Sequence, residues 1–93
     1  MSEPDAGFPG ADLIRDGVED LRRGSASVAA LVVSIGYPRL RRLGIELPEP
    51  PLDMPEHHLY DLLRRENEAT AHSRYNALIR RLVSFERAVE CAG

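Results

Sequence analysis

The chain has no tryptophan, no lysine, one cysteine, two Phe and three Tyr. The lone thiol, Cys91, excludes an intrachain disulfide. It also excludes a zinc site built on several thiolates, and a single cysteine suits a reducing, cytoplasmic setting. No stretch of apolar residues is long enough for a transmembrane helix. The acidic start, Met1 to Gly10, lacks the apolar core of a signal peptide. No glycine-rich phosphate loop, HExxH or GxSxG occurs, which removes the common nucleotide, zinc-protease and serine-hydrolase signatures. A formal net charge of −3 argues against a globally basic nucleic-acid binder.

What is present is a small set of apolar stripes. The 93 residues suffice for one small domain. A chain of this size buries only roughly 60–65% of its extended surface on folding, so its stability margin is thin. Residues 1–10 carry two prolines and two glycines and read as a flexible acidic arm, with Phe8 able to dock on the core. Residues 11–93 read as a single helical domain. Ala11, Ile14, Val18 and Leu21 form one stripe and predict a helix over 11–23, stopped by Gly24. Val28–Ile35 is apolar almost all round, with Ser25 or Ser27 as its cap. Such a helix is central or covered by a partner. Its β-branched content also suits a strand, but Ala29 and Ala30 favour helix and no second strand is there to pair with it.

Gly36 breaks that helix, and Pro38 opens a short basic one that Gly44 ends. Residues 45–52 hold three prolines and read as a stiff extended connector that brings Ile45, Leu47 and Leu52 to the core. Asp53 and Glu56 have capping-box spacing before a helix to about Glu66, with Leu59, Leu62 and Leu63 inward. Ala71, Tyr75, Leu78, Leu82, Phe85 and Val89 then alternate in steps of four and three, the spacing of a coiled-coil seam, with Ile79 and Val83 widening it. Projected backwards, this seam meets Glu68, Arg64 and Asp61, out of phase with the leucines. A break between Asn67 and Ser73, with Thr70 as cap, makes a helical hairpin; the alternative is one helix of about 37 residues, far above the usual length. The expected fold is an all-α bundle of four to five helices with a proline-rich connector and a C-terminal helical hairpin.

Charge is unevenly placed. Glu3, Asp5, Asp12, Asp16, Glu19 and Asp20 face one base, Arg15, up to residue 20; residues 21–45 then carry Arg22, Arg23, Arg39, Arg41 and Arg42 and no acid. The simplest reading sets the acidic first helix against the basic middle of the same chain; the other is an anion or acidic-partner patch at Arg39, Arg41 and Arg42. A helix-turn-helix assignment for the second and third helices fails at Arg42, where the recognition helix should be apolar. His57 with Asp61, and Glu68 with His72, stand one helical turn apart; each is half a metal site, and solvent-facing side chains are the plainer reading.

Arg65, six residues and then His72, with Tyr75 beyond, is similar to the Arg–His pattern of HEPN ribonuclease domains. That resemblance implies an all-helical dimer in which Arg65 and His72 line a cleft between subunits and cleave RNA, His shuttling a proton and Arg stabilising the phosphorane. Glu66 replaces the polar residue that usually follows the Arg and would repel phosphate. The resemblance covers Arg65 to Tyr75 only.

The preferred expectation is therefore a non-catalytic cytoplasmic interaction module, a homodimer or an accessory subunit of another protein, needing no metal or cofactor. Its interface would be Tyr75, Leu78, Leu82, Phe85 and Val89, with Arg39, Arg41 and Arg42 steering an acidic partner. Nucleic-acid binding through Arg39, Arg41, Arg42, Arg80 and Arg81 stands second. RNA cleavage by Arg65 and His72 stands third.

Overall fold

A computed structural model describes residues 7–92. It is all-α: α1 (Ala11–Arg22), α2 (Val28–Ile35), α3 (Tyr37–Arg42), α4 (Pro55–Glu66) and α5 (Ala71–Ala92). No helix among the described residues is long and apolar enough to cross a membrane.

The order follows from α2. Ala30, Leu31, Val32 and Val33 are wholly inaccessible to solvent and Val28, Ala29 and Ile35 are partly covered, so this helix shows little of itself to water. It starts where sequence places it: the Ser27 hydroxyl accepts a hydrogen bond from the Ala30 N–H at 3.1 Å. The same hydroxyl donates to Asp20 at 2.6 Å, tying the end of α1 to the start of α2. The other helices pack around α2, with α1 on one side and α4 and α5 on others. Gly17 allows the close approach of α1, because a Cβ there would collide with the Ala29 carbonyl and the Val33 side chain. Gly36, at the junction of α2 and α3, does the same for α5: its open side is filled by Leu82 and the Glu86 carboxylate.

The connector is fastened at two points. Tyr37 Oη donates to the Pro48 carbonyl at 3.1 Å, and the Leu52 N–H donates to the buried Ser34 hydroxyl at 3.0 Å. Ile45, Leu47 and Leu52 then lie against the core, as the proline spacing suggests. The hairpin breaks at residues 67–70, where the Asn67 side chain accepts from the Ala69 N–H. Leu59 and Leu63 from α4 meet Ala71, Leu82 and Phe85 from α5 in the same core.

Two local expectations need correction. The Asp53–Glu56 capping box does not form: α4 starts at Pro55, and Met54, at φ 44°, is its N-cap with no side-chain bond. Proline sets the start of this helix one residue later than the box requires. Thr70 precedes α5, but its hydroxyl lies toward the Asn67 carbonyl at 3.5 Å and does not cap the helix. Of the arm expected over residues 1–10, residues 1–6 lie outside the described region. Within the described residues Phe8 packs on the core, as its apolar side chain suggests, and Gly10 is the N-cap of α1.

Replacing Gly17 by Ala should destabilise the chain by about 1–3 kcal/mol through overpacking against the α2 backbone. In thermal melts that is a fall of roughly 4–8 °C per kcal/mol. Gly7→Ala, where nothing lies within 4 Å of the added methyl, should leave the melt unchanged.

Candidate functional site

The charged side chains pair within the chain, but among the described residues only Glu19 with Arg23 joins an acid of α1 to the basic stretch that follows it. The acids of α1 do not face the arginines of α3; both helices instead reach α5. Asp12 accepts from Arg81 at 3.1 Å, and Arg39 lies 3.7 Å from Glu86 and 3.5 Å from Glu90. Arg41 lies 3.8 Å from Glu49 in the connector. Of the arginines expected to form an anion patch, Arg39, Arg41 and Arg81 therefore already have carboxylate partners. Arg42 and Arg80 are exposed with no ion pair among the described residues. The seam residues divide likewise. Leu82 and Phe85 are buried in the chain's own core, while Tyr75, Leu78 and Val89 pack half-exposed against it.

Arg65 and His72 each contact a neighbour on their own helix. Arg65 pairs with Asp61 one turn earlier at 2.9 Å, and His72 Nε2 contacts the Asn76 amide at 3.2 Å. The metal half-sites stay apart: no group of three His, Cys, Asp or Glu able to hold an ion exists among the described residues. Asp61 and Glu68 are each engaged by an arginine, Arg65 and Arg64.

Two features escape the sequence reading. The first is an aromatic cluster at the turn end of the hairpin. The Tyr60 ring lies 5.7 Å from Tyr75, tilted 58°, and 6.4 Å from His72 in an edge-to-face arrangement. Tyr60 and Tyr75 flank the Asn67–Thr70 turn, and closure of the hairpin brings them together. That closure was the available signal. Burial, and next the charge of Glu56, push the Tyr75 hydroxyl above its ordinary 10.0.

The second is Glu86, which is only 4% exposed. It follows Phe85 directly and stands four residues after Leu82, so it borders the seam. The missing Cβ of Gly36 makes room for it. Burial pushes its carboxyl above the ordinary 4.5, and the Arg39 guanidinium draws it partly back. Asp12 moves the other way, below 3.8, chiefly through the Leu13 N–H and then through Arg81.

These two acids act in separate pH windows. Between 4.5 and its raised value, Glu86 holds a proton in the folded chain that the unfolded chain has lost, so stability falls as pH rises through that interval. The Asp12 contribution is present above 3.8 and disappears as pH drops below it. Glu86→Gln carries no charge at any pH. In urea melts its midpoint should gain on the wild type as pH rises from about 4.5 to about 7. A midpoint difference constant over that range would show that Glu86 is not the titrating group.

Comparison with protein-family models, curated proteins and solved structures finds no match to this chain.

Proposed function

We propose that this chain is a non-catalytic helical interaction module that receives another protein chain on the outer side of its α4–α5 hairpin. The observation that carries this reading is the state of α5. Its 22 residues bury only Ala71, Leu82, Phe85 and Glu86. His72, Tyr75, Ile79 and Val83 follow one another at three- and four-residue steps along one side of it. Ile79 and Val83 are half-buried and lie outside the core cluster. Two apolar side chains one turn apart, continuous with an aromatic cluster, form a face that a second helix or an extended segment can cover. The engagement of Arg39, Arg41 and Arg81 within the chain counts against the nucleic-acid alternative.

The face is small. A helix of this length is about 33 Å long and about 10 Å wide, a footprint well below the roughly 800 Å² per partner of a standard interface. Association through it alone should be weak and concentration-dependent.

Two measurements test this. Light scattering across about 10 μM to about 1 mM should show the mass rising from 10.4 kDa toward twice that value if the partner is a second copy. Selection from a random peptide library should enrich binders if it is a different chain. Val83→Glu should abolish either signal without altering the far-ultraviolet dichroism. A constant monomer mass, together with no peptide that distinguishes Val83→Glu from the wild type, would overturn the proposal.

A further inference from the structure

The turn end of the hairpin carries more chemistry than an apolar face needs. Tyr60 and Tyr75 are half-buried and His72 is exposed, so the three clustered rings remain open to solvent. Three arginines on the neighbouring turns are neutralised within the chain, whereas Arg80, farther along α5, is not. Arg65 pairs with Asp61 at 2.9 Å, Arg64 with Glu68 at 3.7 Å, and Arg74 with Glu66 at 2.8 Å. One carboxylate is left over. Glu56 lies one turn before Tyr60 on α4, hence on the same side of the helix. It is exposed and has no hydrogen bond or ion pair among the described residues. Its charge is felt at the rings, since it helps to raise the Tyr75 hydroxyl after burial has done so.

We infer that Tyr60, His72 and Tyr75, with the Glu56 carboxylate beside them, receive an arginine side chain from a basic segment of the partner protein. This rests on the reading of the hairpin as a docking face and names what docks there. A guanidinium is planar, weakly hydrated and able to stack on aromatic rings while its N–H groups donate to a carboxylate. A lysine ammonium matches the charge, but it is more strongly hydrated and does not stack. An acidic peptide or a phosphate backbone would meet Glu56 as a like charge. The attractive groups are two tyrosines, one imidazole and one carboxylate, all partly wet. A single arginine should therefore bind weakly, and a longer basic segment should gain by also covering Ile79 and Val83.

The test follows the ring proton signals of Tyr60, Tyr75 and His72 by NMR during titration of the intact chain with three blocked tripeptides. They are Ala-Arg-Ala, its citrulline counterpart, which keeps the planar shape without the charge, and Ala-Glu-Ala. The arginine peptide should give saturable shifts confined to these rings. Affinity should fall about three- to tenfold for the citrulline peptide, and by a similar factor in Glu56→Gln. Glu56 is exposed, so that substitution leaves the fold intact, and Tyr60→Phe should retain binding through its ring. Absence of saturable shifts with the arginine peptide would overturn the inference. So would equal binding of the citrulline or glutamate peptide, or an unchanged affinity in Glu56→Gln. None of those outcomes touches the docking face itself, which stands or falls on the mass and library measurements with Val83→Glu.

Discussion

The structure depends on hiding α2. Eight residues are too few to hold a helix in water by themselves, so tertiary burial must supply what hydrogen bonding within the segment does not. Leu31, Val32 and Val33 are each completely enclosed, and each contributes about 1.5–3 kcal/mol by leaving water. A helix apolar on all sides needs neighbours on all sides. α1, α3, α4 and α5 satisfy that demand with most of their apolar side chains, while Ile79 and Val83 of α5 stay outside the core. The result also explains why α5 is half-buried. α2 is short, and a helix of 22 residues extends beyond what it has to cover.

Polar contacts do a different job, that of choosing one arrangement among several ways to wrap α2. Most of the ion pairs are exposed and individually contribute about 0–1 kcal/mol. Their value lies in linking elements distant in sequence: Asp12 of α1 with Arg81 of α5, and Arg39 of α3 with Glu86 and Glu90 of α5. Glu86 is the costly member, a carboxyl enclosed in a core otherwise almost wholly apolar. With Arg39 it fixes how α3 sits across α5. The Ser34 hydroxyl, itself buried, performs the equivalent service for the connector by receiving the Leu52 N–H.

Much of this was readable in the residues, for identifiable reasons. Val28–Ile35 announces itself because a serine cap precedes an unbroken apolar run and a glycine follows it. The break before Ala71 is legible because two stripes disagree in phase, and only a turn reconciles them. What could not be read involves partners chosen in three dimensions. Asp12 could have paired with any of the nearby arginines, and nothing in sequence selects Arg81. The Asp53–Glu56 spacing was misleading because Pro55 competes for the same helix start and wins. In the candidate site, Tyr75 was legible as a seam residue and Tyr60 was not, since Tyr60 lies beside the leucine stripe of α4 rather than on it. His72 stood out for its spacing from Arg65, yet its nearest aromatic neighbour is Tyr60.

The central position of α2 also has a consequence for biogenesis. The helix precedes in the chain three of the elements that shield it, α3, α4 and α5. A ribosome delivers the Val28–Ile35 segment before the hairpin that encloses it exists. During that interval a short, uncharged, β-branched stretch has only α1 and α3 for shelter, which is the composition that favours intermolecular strand pairing. Amino-acid changes that delay hairpin closure therefore act on yield before they act on the folded protein. The acidic residues of α1, made just ahead of this stretch, place like charges beside it at the time when nascent chains could meet.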